Sequence, residues 1–153
     1  MPTLDHIDRR LLTELQDEGR ITNVELAQRV GLTAPPCLRR VRGLEEAGII
    51  RGYHADLDGA RLGFTITVFA MVSLKSQAED ALRAFEAAMH DLPEVREVHM
   101  LNGEIDFILK IVSRDLQSFQ EFLTSKLTAA PNVASVKTSL TIRTSKHAPG
   151  VPL

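Results

Sequence analysis

Three arginines, Arg39, Arg40 and Arg42, fall within four residues, and no acidic side chain interrupts the stretch from Pro35 until Glu45. A guanidinium is a planar fork of N–H donors that can pair with guanine O6 and N7 or with phosphate oxygens. On a helix of roughly 100° per residue, Pro35, Pro36, Arg39, Arg40 and Gly43 share one side with Arg42 on its flank, while Cys37, Leu38, Val41 and Leu44 form an inward stripe. Thr33 is placed to cap that helix. The two prolines fall in its first turn, where a missing N–H costs no intrahelical bond. The chemistry on offer is contact with double-stranded DNA by a helix lying in the major groove, through Thr33, Pro35, Pro36, Arg39, Arg40 and Arg42.

Such a helix needs others behind it. Thr22-Asn23-Val24-Glu25 fits a capping box, in which the Thr22 hydroxyl accepts from the Glu25 amide and the Glu25 side chain reaches back to the Thr22 amide. Val24, Ala27 and Val30, with Leu26 beside them, give the helix that follows an apolar side, and Gly31 supplies the left-handed residue that ends it. Two helices joined by a short glycine turn make a helix-turn-helix. An earlier helix starts at Asp5, with Asp8 in its first turn, buries Ile7, Leu11, Leu12 and Leu15, and ends at Gly19. Residues 1–50 are therefore read as a DNA-binding domain. Residues 51–63 follow as a linker, extended through Gly52-Tyr53 and turning at Asp56-Leu57-Asp58-Gly59.

From residue 64 the character changes. Thr65 to Leu74 is β-branched and aromatic on both sides, as in a central strand. Ser76-Gln77-Ala78-Glu79 reads as a second capping box, opening a helix that points Leu82, Phe85 and Met89 inward and stops before Pro93. Val95 to Leu101 and Ile105 to Val112 read as strands joined by an Asn102-Gly103 hairpin. Asp115 or Ser113 caps a helix carrying Leu116, Phe119, Leu123 and Leu127, and a last strand runs from Val133 to Ile142. Strand, helix, strand, strand, helix, strand is the ferredoxin-like order, a four-stranded antiparallel sheet with both helices on one side. The fold class is thus α+β, with this second domain at 64–143 and a mobile tail at 144–153. The sheet's other side would leave Phe69, Met71, Ile108 and Val112 open to solvent, and a second copy of the chain is the simplest cover.

The composition bounds the function. With 44% hydrophobic and 25% charged residues in 153, the chain is an ordinary globular protein. It contains no apolar run near the ~20 residues that span a bilayer and no signal-peptide core at its start, so no membrane is involved and the cytoplasm is the expected location. One cysteine excludes an intramolecular disulfide. The five histidines are scattered without metal-ligand spacing and no glycine-rich phosphate loop is present, so neither an enzyme nor a cofactor is expected. The net charge of −2 requires the positive charge to be concentrated locally, and two copies of the arginine patch to act together. The competing reading is a small-molecule-binding or assembly module without DNA-binding activity.

The residues resemble the Lrp/AsnC, or feast/famine, transcriptional regulators. Leu4-Asp5-His6-Ile7-Asp8-Arg9 through Leu15-Gln16-Asp17-Glu18-Gly19-Arg20-Ile21 is similar to the family's LDxIDRxILxxLQxDGRI opening. Asn23 to Ala27, Arg29 to Leu32, Pro36 to Val41, Leu44-Glu45, Gly48 to Ile50 and Gly52-Tyr53 continue it nearly without gaps. Asn102-Gly103-Glu104-Ile105-Asp106-Phe107 resembles the family's SGDxDY turn, with glutamate at 104 where aspartate is most common. The resemblance implies a regulator of transcription responding to an amino acid such as leucine, and homodimers that assemble into octamers. It places the effector pocket near the turn between the second and third strands, at an interface between dimers. Carried over by position, its residues are Leu101, Asn102, Gly103, Glu104 and Asp106, with Thr138, Leu140 and Thr141 from the last strand. Turn amides around Gly103 suit a carboxylate, and Glu104 or Asp106 an ammonium group.

Overall fold

Asp5 opens the first helix as its residue type predicts. Its Oδ1 accepts from the amides of Ile7 and Asp8 at 2.9 and 2.8 Å, and Asp8 Oδ2 accepts from the Asp5 amide at 3.2 Å. In this computed structural model, which describes residues 3–153, helix α1 spans His6–Asp17. The first two residues of the expected DNA-binding domain lie outside the described residues. Helix α2 spans Asn23–Val30 and α3 spans Ala34–Glu46. Thr22 Oγ1 caps α2 by accepting from the Glu25 amide at 3.2 Å. The reciprocal half of that expected box does not form, because the Glu25 carboxylate swings toward Arg29, 3.8 Å away. Gly31 adopts φ 77°, the left-handed turn the sequence requires. Thr33 sits at the N-cap of α3 without a side-chain cap bond. Asn23 Nδ2 instead fastens the start of α3 by donating to the Ala34 carbonyl at 2.8 Å.

Leu11, Leu26, Ala27, Val30, Cys37, Val41 and Leu44 form the core of these helices. Of the other residues expected to face inward, Ile7, Leu12 and Leu15 pack partly buried against it and two are exposed. Val24 is 59% exposed, since it falls about 60° outside the arc shared by Leu26, Ala27 and Val30. Leu38 is 39% exposed, about 60° beyond Val41 around α3.

The chain divides into two compact units, one taking in residues up to Asp56 together with Lys146–Leu153, the other Leu57–Ser145. The terminal segment, expected to be mobile, is therefore tied to the helical unit. Gln16 acts like a strand edge there: its Nε2 donates to the Val151 carbonyl at 2.9 Å and its Oε1 accepts from the Val151 amide at 2.8 Å. The expected linker is also more structured than its composition suggests, because Phe64 N donates to the Gly59 carbonyl at 2.8 Å and Asp58 Oδ1 accepts from the Arg61 amide at 3.1 Å.

The second unit contains β1 (Ile66–Leu74), α4 (Glu79–His90), β2 (Val95–Met100), β3 (Phe107–Ser113), α5 (Leu116–Phe122), a π-helical turn (Leu123–Leu127) and β4 (Val133–Leu140). The strands pair antiparallel in the order β2-β3-β1-β4. Val68, Ala70 and Val72 of β1 and Phe107, Leu109 and Ile111 of β3 share one side, packed on Phe85 and Met89 of α4 and on Phe119, Phe122 and Leu127. This is the ferredoxin-like arrangement. Helix α4 starts later than expected, with Ala78 at its N-cap; the Ser76 hydroxyl accepts from the Ala78 amide at 3.3 Å, so no capping box forms. Leu116 is 61% exposed, and Phe122, absent from the expected apolar set, is buried. The Thr128 amide donates to the Leu123 carbonyl at 2.9 Å, five residues back, and this wider turn carries Leu127 into the core.

A Cβ at Gly31 would meet nothing within 4 Å, so the penalty of Gly31→Ala is the left-handed backbone alone. We expect a loss of about 1–2 kcal/mol in denaturant unfolding, with Gly31→Asn losing less; equal stability of the alanine variant and wild type would contradict this.

Candidate nucleic-acid interface and effector loop

Helix α3 presents Thr33, Pro35, Arg39 and Arg42 to solvent, with Pro36 half-buried and Cys37, Val41 and Leu44 behind them. Burial raises the Cys37 thiol pKa, so it behaves as a small hydrophobe and not as a nucleophile. Leu38 joins the exposed stripe between Pro35 and Arg42. Its distance from the centre of the buried arc was the available signal for this placement. Among the described residues Arg39 and Arg42 enter no ion pair, whereas Arg40 does. Arg40 Nη1 lies 2.8 Å from Asp5 Oδ2 and 2.7 Å from Asp8 Oδ1, and its side chain is half-buried. The free arginine side expected from the helical wheel thus reduces to Arg39 and Arg42.

Further polar contacts tie the same unit together. Arg29 of α2 meets Glu14 at 3.0 Å and Glu18 at 2.7 Å on α1. Tyr53 donates its hydroxyl to Glu45 Oε1 at 2.9 Å, near the end of α3. Desolvation, and then Glu45, push the Tyr53 pKa up to about 12.

In the second unit the expected Asn-Gly hairpin is replaced by a wider connection. The strands end at Met100 and resume at Phe107, the Leu101 amide donates to the Asp106 carbonyl at 2.8 Å, and neither Asn102 nor Gly103 has positive φ. A two-residue type I′ turn requires positive φ at both positions, so it does not form. Asn102, Gly103 and Glu104 are exposed, and among the described residues none accepts a hydrogen bond from their amides. Asp106 faces inward. Its Oδ2 accepts from the buried Leu74 amide at 2.7 Å and its Oδ1 from Gln77 Nε2 at 2.9 Å, while its own amide donates to the Val72 carbonyl at 3.0 Å. Asp106 is therefore the anchor of the loop, and Glu104 is the exposed carboxylate.

Thr138 and Leu140 of β4 lie opposite Ala70 and Val68, and Thr141 N donates to the Thr67 carbonyl at 2.8 Å. Thr141 is thus anchored five residues along β1 from Val72, where the loop is held, or about 17 Å at strand spacing. Leu140 and Thr141 therefore lie well away from the loop of their own chain, whereas Thr138, opposite Ala70, is two residues along β1 from Val72. On the side of the sheet away from the helices, Phe69 is 37% exposed and Met71, Ile108 and Val112 are half-buried, with the Lys110–Glu97 ion pair at 2.9 Å beside them.

Comparison with known proteins accounts for both units. Residues 67–151 match the family model of the Lrp/AsnC ligand binding domain, and residues 4–51 match a winged helix-turn-helix DNA-binding model. The chain belongs to the Lrp/AsnC family. It is 57% identical to the leucine-responsive regulatory protein of Rhizobium meliloti over 95% of this chain and 93% of that one. It is 43% identical to the Bkd operon transcriptional regulator of Pseudomonas aeruginosa, over 94% of each. Among solved structures it is similar to a transcriptional regulator from Neisseria meningitidis in complex with L-Met, with a TM-score of 0.93, 37% identity and coverage of 98% of this chain and 97% of that one. Like the rest of the Lrp/AsnC family it is a transcriptional regulator, pairing a DNA-binding helix-turn-helix with a ligand-binding domain.

Two outcomes follow from the geometry. Asp106→Ala leaves the Leu74 amide buried without a partner, so it should lower unfolding free energy by about 1–3 kcal/mol with no effector present; undiminished stability would show that the carboxylate is not structural. Tyr53 is the single tyrosine, so phenolate absorbance reports it alone. Its midpoint should lie near 12 and not at the ordinary 10, and Glu45→Gln should lower it part of the way. Stability linked to this group is complete below pH 10 and is lost as the pH climbs toward 12.

Proposed function

We propose that this regulator senses an amino acid at the Leu101–Asp106 loop and reads DNA with the exposed stripe of α3. The observation that carries the sensing half is the loop itself. Asn102, Gly103 and Glu104 offer amides from which no group among the described residues accepts, beside the exposed Glu104 carboxylate and next to the anchored Asp106. Amides of this kind suit an α-carboxylate, and a neighbouring carboxylate suits the α-ammonium. The Neisseria relative, solved with L-Met, supports an amino acid as the class; the Rhizobium relative is named for leucine. Leu101, 41% exposed, supplies an apolar surface for such a side chain.

On α3, Arg39 and Arg42 contact phosphate or guanine, and Thr33, Pro35 and Pro36 bring the start of the helix against the backbone of DNA. Leu38 adds an apolar contact of the kind that thymine methyl groups accept. The protein acts as a homodimer that assembles further toward an octamer, in the cytoplasm and without enzymatic activity. Phe69, Met71, Ile108 and Val112 support pairing through the open sheet side, since Met71 and Ile108 are register partners, Phe69 and Val112 share their side of the sheet, and all four are incompletely buried. Leu140 and Thr141, held four and five residues along β1 from the loop's anchor at Val72, join an effector pocket from another copy, with Thr138 beside them on β4. Binding there shifts the population of assemblies and with it the spacing of the paired recognition helices.

A thermal-shift screen of the twenty amino acids identifies the effector, and calorimetry then compares wild type with Gly103→Val. A Cβ at Gly103 meets nothing within 4 Å and the backbone there is unstrained, so the chain itself tolerates the change. We expect effector binding to fall at least tenfold while DNA affinity stays within twofold of wild type. Full effector affinity in the variant would rule out this loop as the site.

A further inference from the structure

Of the three arginines on α3, Arg40 is the one held in ion pairs among the described residues. It reaches across to two carboxylates 35 and 32 residues earlier in the chain, both on the same Nη1. Those carboxylates are themselves immobilised. Asp5 Oδ1 holds the amides of Ile7 and Asp8, leaving Oδ2 for Arg40, and Asp8 Oδ2 holds the Asp5 amide, leaving Oδ1 for Arg40. One capping box thus serves two purposes, closing the start of α1 and gripping the middle of α3.

We propose that Arg40, held by Asp5 and Asp8, is a positioning residue that sets the angle of the recognition helix against α1 and does not itself contact phosphate. Two features support this over direct contact. The cluster of one guanidinium and two carboxylates carries a net charge of −1, so an approaching phosphate meets repulsion where Arg39 and Arg42 offer attraction. The opposite end of α1 is built on the same plan, since Glu14 and Glu18 hold Arg29 of α2. Helix α1 is therefore a splint with one acidic pair for each helix of the helix-turn-helix. An error of about 1 Å in the recognition helix is enough to break bidentate pairing with bases, so the clamp bears on sequence discrimination more than on general affinity for DNA.

The inference rests on the DNA-binding role of α3, and the test separates the two. The full-length protein is titrated with a duplex that wild type captures from a random-sequence pool and with an unrelated duplex, at several salt concentrations. Arg40→Gln and Asp8→Asn should each weaken the captured duplex about fivefold, the scale of one ion pair, while leaving the unrelated duplex unchanged. The dependence of log K on log salt should keep its slope in Arg40→Gln, whereas Arg39→Gln lowers it by about 0.9 for each phosphate it no longer neutralises. Asp5→Asn, which preserves an N-cap side chain, should reproduce part of the Asp8→Asn effect even if the latter is less stable. A lowered salt slope in Arg40→Gln, or captured-duplex binding that is unchanged or tighter in Asp8→Asn and Asp5→Asn, overturns the clamp. Failure of wild type to capture any duplex overturns the DNA-binding role and the clamp with it.

Discussion

Seven buried side chains, with Leu11 wholly enclosed among them, form the core that holds three helices together in the DNA-binding unit. A unit of about 60 residues buries a smaller fraction of its surface on folding than a larger domain does and is correspondingly marginal. Its polar contacts at the rim then decide geometry that a larger core would fix by packing. This is why the left-handed Gly31, the Asn23 bond to Ala34, the Tyr53 bond to Glu45 and the paired arginines all fall at helix junctions. The terminal segment contributes in the same way through Gln16 and Val151, adding a strap to the end of α1.

The second unit answers to a different constraint, the two-residue period of its central strands. Along β1 and β3 every alternate side chain is buried against α4 and α5, and those between point to the open side. The alternation cannot be relaxed on one side without losing register on the other. Asp106 sits where that period ends. By accepting from the Leu74 amide it closes the end of the β1–β3 pairing and anchors the loop that precedes it. A carboxylate that looks from its position in the motif like a ligand to an effector thus serves as the foundation of the exposed residues beside it.

What could be read from the residues alone is what depends on neighbours in the chain. Asp5, Thr22 and Asp115 cap helices because their side chains reach amides two or three residues on, and Gly31 turns because its left-handed φ favours a residue without a Cβ. The strand and helix order of 64–143 followed from periodicity in the same manner. The misplacements have common causes. Val24, Leu38 and Leu116 lie at the margins of apolar arcs, where a wheel cannot say which residue its neighbours will cover. Ser76 and Asn102-Gly103 carry the composition of a capping box and a tight hairpin, but the surrounding sheet sets other distances for the chain to bridge. The partners of Arg40 and Gln16, separated by 32 to 135 residues, leave no local trace. For the proposed site, the candidate segments were assigned from local sequence, whereas which of their side chains faces outward was decided by residues distant in sequence.

The electrostatics argue for cooperation between copies. A chain of net charge −2 offers DNA only two arginines on α3 that are unpaired among the described residues, and one such patch releases few counterions. Two patches joined through the pairing proposed for the open sheet side act differently, because the second contact is made at the effective concentration set by the first. The gain depends on both recognition helices meeting the groove at once, so a change in their separation costs affinity steeply. In the proposed assembly a weak reading head is what would make oligomerisation an effective control: a strongly basic head would hold DNA singly, and rearrangement of the sheet units on binding an effector would then have little to release.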